Sequence, residues 1–425
     1  MTRAFQDARG RPLVAVTGMG LVTSLGVGKA DTWDALKSGR SGIKDITRFA
    51  TDGLRTSVAA TVDFLKSSQR SAPELAIELA VTAIEEALAE AAIGSIGQFP
   101  GPLFLATPPA ELEWPQRKAL YNAGRAAGLQ GYQRLAAAAR EGDWKQLHSL
   151  FQFASVGEHL AQRFGTLGVP VSISTACASG ATAIQLGVEA IRRGDTEAVL
   201  CVGTDASVQI EALIRFSLLS ALSTRNDPPE RASRPFSKDR DGFVMGEGAA
   251  ALVLESYESA RARGATILGL VRGCGERADN YHRTRSKPDA SPIIAAIASA
   301  LADSGLRPQD IDYINAHGTS TPENDKMEYL ALKRVLGCHL SATPMSSNKS
   351  MIGHTLSAAG AIEAVISLMT IREGTLPPTI NYELPDPEIP VDVVPNVARS
   401  MRVDTVLSNS FGFGGQNAAL VLSTH

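Results

Sequence analysis

The chain has 425 residues, 44% of them apolar and 20% charged, so it exceeds one ordinary domain and has ample material for a core. Its 41 Lys and Arg against 44 Asp and Glu leave a formal net charge of −3, which argues against a chain that binds nucleic acid or a membrane surface as a whole. The opening MTRAFQDARGRP lacks the apolar centre of a secretory signal, no apolar run reaches the ~18–20 residues of a membrane helix, and four cysteines without CxxC spacing offer neither a disulfide framework nor a zinc site. A reducing cytoplasm is the expected setting.

In chain order, VAVT (14–17) reads as a strand and Pro73–Ile93 as an amphipathic helix stopped by Gly94, followed by a strand at PLFLA (102–106). From about Thr107 to Phe153 the chain is rich in Ala, Gln and Arg, carries Trp114 and Trp144, and reads as helical. VPVSIS (169–174) then leads into Cys177. A helix is predicted from about Ala178 to Arg193, with Ala181, Ile184, Val188 and Ile191 on one face and Gly194 as its stop. EAVLCVG (197–203) reads as a buried strand. Alternating strands and helices predict a layered α/β fold.

Two internal echoes suggest that the fold is doubled. GFVMGEGAAALVLES, from Gly242, and GFGGQNAALVLS, from Gly412, each pass from a glycine-rich turn into the same AALVL strand. The helix-to-strand passage at 73–106 has a counterpart at 292–315. The expected units are residues 1–260, with the helical insertion near 107–153, and residues 261–425.

Cys177 lies in STACASG, where a strand meets a helix N-terminus, and unpaired N–H groups there favour a thiolate. Cys201, Cys274 and Cys338 read as inert. His317, in NAHGTSTPEND, and His354, in NKSMIGHTLSAAG, each follow a strand-like run inside a small-residue loop, where α/β folds place their chemistry. His354 is expected at the start of a helix.

STACASG, ALSTRND, ASRPFSKDRDGFVMGEGA, NAHGTSTPENDKME, NKSMIGHTLSAAG and SNSFGFGGQN, in this order, closely resemble the signature blocks of elongating β-ketoacyl-[acyl carrier protein] synthases. The resemblance runs from VAVTGMGLVTSLG to the last strand, except for 107–153. It implies a thiolase-like fold of two related halves in α-β-α-β-α layers, a homodimer, and condensation of a cysteine-bound acyl chain with malonyl-[acyl carrier protein]. No cofactor or metal is held permanently; the phosphopantetheine arm of the carrier protein brings the substrates. By the same resemblance Cys177 is the nucleophile and His317 with His354 the pair that serves decarboxylation. Lys349 supports that pair with Glu328 and Asp325 as acidic neighbours, and Phe413 gates the site and lends its backbone N–H to an oxyanion hole. Thr319, Thr321 and Thr284 correspond to pantetheine contacts, and Arg225 and Arg70 to carrier-protein contacts.

Two departures stand out: 107–153 lacks the glycine-rich segment usual at that place, and Gln416 stands where threonine is more usual. The first suggests an acyl pocket reshaped for a long or unusual chain. Among other readings, TGMGLVTSLG (17–26) only nearly fits a dinucleotide fingerprint, and Ser346-x-x-Lys349 lacks the SDN and KTG partners of a serine acylase. A chain-length subunit would have lost Cys177, a thiolase would carry a second cysteine near Phe411–Gly415, and an initiating synthase would have asparagine in place of His354. A polyketide-type ketosynthase remains the alternative reading, with an acyl-thioester hydrolase behind it.

Overall fold

A computed structural model describes residues 5–65, 71–94, 97–123, 128–142 and 144–425; Arg70, an expected carrier-protein contact, lies outside them. Ten strands carry the fold. They are β1 (Val14–Thr23), β2 (Leu103–Ala106), β3 (Val171–Ile173), β4 (Ala198–Asp205), β5 (Gly248–Ser256), β6 (Gly269–Ala278), β7 (Tyr313–Asn315), β8 (Met345–Ser346), β9 (Thr405–Phe411) and β10 (Gln416–Ser423). Across the sheet they run β3-β2-β4-β5-β1-β6-β10-β9-β7-β8.

The two five-strand sets repeat one pattern. β1 is antiparallel to β5, β5 is antiparallel to β4, and β4, β2 and β3 are parallel. In the same way β6 is antiparallel to β10, β10 is antiparallel to β9, and β9, β7 and β8 are parallel. The sets join where Val14–Val16 pair antiparallel with Gly269–Val271. The AALVL echo therefore falls on equivalent strands, β5 and β10.

Alternation along the strands creates the layers. Leu200 and Val202 of β4 pack with helix α1 (Ala72–Ala91) on the outer face, while Val199 and Cys201 face the central helices α2 (Ser179–Arg192) and α5 (Ala359–Glu373). On β10, Leu420 and Leu422 face the same central layer, and Ala419 and Val421 turn to α3 (Ser291–Ser304) and α4 (Pro322–Leu336). The order α1, sheet, α2 with α5, sheet, α3 with α4 is the expected five-layer α/β architecture. Every residue of α5 from Ala359 to Ile371 is buried, as a helix with protein on all sides requires.

Several local expectations shift. α1 ends at Ala91, short of the expected Ile93, because its C-cap Ala92 takes the left-handed conformation itself (φ 48°). β3 is shorter than 169–174 because Pro170 has no N–H to offer and the strand is the sheet edge. β1 is longer than 14–17, since β5 accompanies it to Thr23 around an irregularity near Gly18. The insertion is helical as expected, at Trp114–Ala123, Gly131–Glu141 and Lys145–Leu150, but the first and last of these bury no residue. Among the described residues no helix is long and apolar enough to cross a membrane.

α2 and α5 cross where neither has a side chain. A Cβ on Gly180 would lie 2.4 Å from the Ala361 nitrogen, and one on Gly360 would lie 2.5 Å from the Ala181 nitrogen. Gly180→Ala should therefore push the two helices apart and cost about 1–3 kcal/mol, the range for overpacking. Urea denaturation checks this, with an unchanged midpoint as the contrary result.

Candidate active site

The crossing sets two helix N-termini side by side, and the sequences around them share the pattern Thr-x-x-Ala-x-Gly-Ala. Thr175-Ala-Cys-Ala-Ser-Gly-Ala181 and Thr355-Leu-Ser-Ala-Ala-Gly-Ala361 each run through a short 3₁₀ turn into the central helix. Ala176 (φ 49°) and Leu356 (φ 45°) sit in the left-handed region, which costs a residue with a Cβ about 1–2 kcal/mol. The strained turns present Cys177 in one half and Ser357 in the other. Gly412 completes the approach: a Cβ there would lie 2.9 Å from the Thr175 oxygen and 3.2 Å from the Cys177 nitrogen.

His317 and His354 reach Cys177 from the other half. The Cys177 sulfur and one nitrogen from each imidazole all lie within 4.8 Å of one another; among the described residues this is also the one group of three that could share a metal ion. The two imidazoles meet edge to face, with centroids 5.3 Å apart at 83°. His354 is held as an edge rather than as the start of a helix: its N–H donates to the Val244 carbonyl (2.7 Å), and α5 begins only at Ala359. Leu356 N–H donates to His354 Nδ1 (3.3 Å), which makes Nε2 the protonated nitrogen. Nε2 is buried and has no partner among the described residues.

Glu328 fixes the loop that carries His317. Its carboxylate accepts from His317 N (2.9 Å), Gly318 N (2.8 Å) and Asn409 Nδ2 (3.0 Å). Asp325, one turn earlier on α4, accepts from Phe236 N (2.7 Å) and faces the Arg240 guanidinium at 3.6 Å. Neither acid pairs with Lys349. Its ammonium meets Glu363, both side chains being 2% exposed. The expected acidic neighbours of Lys349 are thus corrected: Asp325 and Glu328 are bound to backbone on α4, and the lysine's counter-charge comes from α5. A sequence signal existed, because Glu363 is the lone charge in the apolar run GAIEAVISLMTI and an unpaired charge cannot be buried there.

Burial dominates the electrostatics. It pushes the Cys177 thiol up to about 11, against the Phe413 N–H bond and the positive charge of Lys349. The thiolate expected at a helix N-terminus is therefore not the resting form, since the same turn that offers N–H groups excludes water. Burial, seconded by Lys349, also holds both His317 and His354 well below the usual histidine value, so the imidazoles are neutral at pH 7. Glu363 is pushed up to about 7 by burial, with Lys349 opposing. Asp205, at the end of β4, accepts from Ser357 N (3.0 Å) and is raised by burial to about 6.

A cavity opens over this group, and Thr284, Thr319, Thr321 and Phe413 line it together with Cys177, His317 and His354. The hydroxyls of Thr319 and Thr321 are 2.9 Å apart, and Thr321 caps α4. Arg225 does not line the cavity; its guanidinium is bound to Asp239 (3.0 Å).

Family models match most of the chain: "Beta-ketoacyl synthase, N-terminal domain" over residues 12–93 and 115–260, and "Beta-ketoacyl synthase, C-terminal domain" over 268–383. The chain is 39% identical to the 3-oxoacyl-[acyl-carrier-protein] synthase 2 of Coxiella burnetii, over 96% of this chain and 98% of that one. It is equally 39% identical to the tetracenomycin polyketide synthase ketoacyl synthase alpha subunit of Streptomyces glaucescens, over 96% of each. In structure it is similar to a type II polyketide ketosynthase solved with its acyl carrier protein and a bound hexaketide, with TM-score 0.86, 31% identity, and coverage of 98% of this chain and 100% of that one.

Two measurements probe the site. Lys349→Met leaves the Glu363 carboxyl buried alone and should cost about 3–5 kcal/mol, whereas Lys349→Met with Glu363→Leu should recover most of that loss; denaturant midpoints of the two variants decide it. With the thiol near 11, alkylation of Cys177 by iodoacetamide, followed by peptide mass mapping, should accelerate about tenfold per pH unit between about pH 7 and 9. A plateau in that range would contradict the buried neutral thiol.

Proposed function

The chain belongs to the β-ketoacyl synthase family, and on that footing we propose how its residues divide the work of a decarboxylative condensation. The enzyme is an acyltransferase of the 3-oxoacyl-[acyl carrier protein] synthase type, joining a Cys177-bound acyl chain to malonyl-[acyl carrier protein]. The observation that carries the assignment of residues is the convergence of one thiol with two neutral imidazoles, one of which has a buried N–H with nothing to donate to.

In the first half-reaction the Cys177 sulfur attacks the thioester carbonyl of the incoming acyl chain. The tetrahedral oxygen turns to the N–H groups of Cys177 and Phe413, and the pantetheine sulfur leaves, ending with the proton that Cys177 gave up. A neutral imidazole within 4.8 Å of the thiol can carry that proton, which a thiol pushed up by burial does not release unaided.

In the second half-reaction the malonyl carboxylate departs as carbon dioxide. The electron pair of the broken bond passes to an enolate, whose oxygen takes hydrogen bonds from the His317 and His354 rings. Neutral donors suit this step, since they stabilise charge as it forms without first binding the malonyl carboxylate as a salt. The enolate carbon attacks the Cys177 thioester, the same backbone pair receives the second oxyanion, and collapse frees Cys177 and the β-ketoacyl chain. Burial, seconded by Lys349, keeps both imidazoles unprotonated, and Lys349 itself stays paired with Glu363. Thr319, Thr321 and Thr284 contact the pantetheine arm, and Arg225 and Arg70 the carrier protein.

The protein works in the cytoplasm as a homodimer of chains with halves 1–260 and 261–425, and it extends a fatty acid. The unpaired edge strand β3 supports the dimer, since Val169 and Val171 beside it are 85% and 42% exposed, an edge that a second chain would cover. The polyketide reading is favoured by a different observation, the equal identity to a polyketide ketoacyl synthase subunit.

Cys177→Ala should abolish the mass gain of the enzyme on incubation with acyl-[acyl carrier protein] and, with it, product formation. His354→Ala should leave loading of Cys177 in place and lower carbon dioxide release on the order of 10²–10³-fold, the effect of removing one preorganised donor. A β-ketoacyl product formed at full rate by the Cys177 variant would overturn the reading.

A further inference from the structure

A second cavity lies at the same end of the sheet as Cys177. Its walls begin where β2 and β4 end, at Thr107 and Ala206. β2 is hydrogen-bonded both to β4 and to β3, and β3 leads into Cys177. The helix Ile210–Leu218 belongs to both spaces: its Phe216 lines the cysteine cavity, and its Ala212 and Arg215 line the second. Most of the lining is apolar, with Pro73, Ala76, Pro108 and Val156, which suits methylene groups.

One part of that wall does not suit them. Glu113 is 8% exposed, and one of its oxygens accepts from Ala72 N at the first turn of α1. No described residue donates to the other oxygen. Glu211 Oε1, on the same wall, is buried without a partner among the described residues. The only cation of the lining, Arg215, is engaged by Glu111 at 2.5 Å. The cavity therefore holds more hydrogen-bond acceptors than the described residues can satisfy. Burial, with Glu211 and Glu74 nearby, pushes the Glu113 carboxyl up to about 7 against the Ala72 N–H bond, as expected of a buried acid without a counter-charge.

We infer that Glu113 makes this enzyme select acyl chains bearing a hydrogen-bond donor, a hydroxyl or an ammonium group, where the chain lies in the second cavity. The inference rests on the reading that the acyl chain is held on Cys177. A chain of methylenes alone leaves the Glu113 oxygen unpaired, whereas a donor on the chain completes it, and sites with a buried polar group discriminate strongly against ligands that lack its partner. Glu113 also lies within residues 94–114, the stretch left between the two parts of the N-terminal family match.

The test uses the full enzyme, malonyl-[acyl carrier protein] and carrier protein loaded with straight chains of increasing length, each ending in methyl, hydroxyl or amine. Competing chains are read by the intact mass of the loaded enzyme and of the product. Over one window of length the donor-bearing chains should outcompete the methyl chain by about tenfold or more. Glu113→Gln should keep the preference for hydroxyl and lose that for amine, and Glu113→Leu should lose both. Equal use of methyl chains at every length by the wild-type enzyme overturns the inference, and this holds even if the variants fail to fold. So does a preference that survives Glu113→Leu. Failure of every chain to load Cys177 would overturn the synthase reading itself, and this inference with it.

Discussion

Where α2 crosses α5, Gly180 and Gly360 let the two backbones approach so closely that a Cβ on either would stand 2.4 or 2.5 Å from an amide nitrogen of the other. No packing of side chains could substitute for this contact, because there is no room for any. It fixes the distance between the two halves at the point where each presents its strained turn, so that Cys177 from one and His354 from the other face a common space. The sheet layers outside mainly hold these two helices in register. α5 is buried on all sides and α2 on most of its surface, and neither can tilt without opening several layers at once.

The same contact creates an electrostatic difficulty and shapes the answer to it. Two helix N-termini, each with a positive dipole end, meet beside a buried lysine. Such a place favours anions, which helps an enolate or a tetrahedral oxyanion, but standing empty it would be costly. Glu363 supplies the resident negative charge, one turn into α5, where it neutralises Lys349 without touching the reacting atoms. Neutral imidazoles and a protonated thiol complete a site with little net charge at rest. It is built to receive negative charge that appears only during reaction, which is where stabilisation lowers a barrier.

How much of this was legible in the sequence depended on whether the controlling contact was local. Cys177, His317 and His354 stood out because each ends a strand in a run of small residues, and the doubled AALVL strand exposed the repeat of the fold. A second repeat, TACASGA against TLSAAGA, passed unread, although it holds both crossing glycines. Lys349 was given Asp325 and Glu328 as neighbours by resemblance; its partner Glu363 is brought by packing of α5, which no spacing rule conveys. The thiolate expected of Cys177 failed for a related reason. A helix N-terminus is visible in sequence, but the burial that outweighs it is assembled from Gly412, Phe413 and the opposite half.

The insertion obeys the opposite logic. Trp114–Ala123 and Lys145–Leu150 bury nothing, so folding places few demands on their composition, and no core pattern was there to be read beyond helix propensity. The approach to them, residues 107–113, meets the layered body at the first turn of α1 and above the ends of β2 and β4. A wall attached in this way can be altered without moving the crossing that holds Cys177. Chemistry that needs sub-ångström placement sits on the most constrained elements of the chain, while the choice of acyl chain is left to a segment that stability hardly constrains. The division follows from packing: a residue at the helix crossing cannot change without moving both halves, whereas a residue of the 107–113 approach can change without moving that crossing.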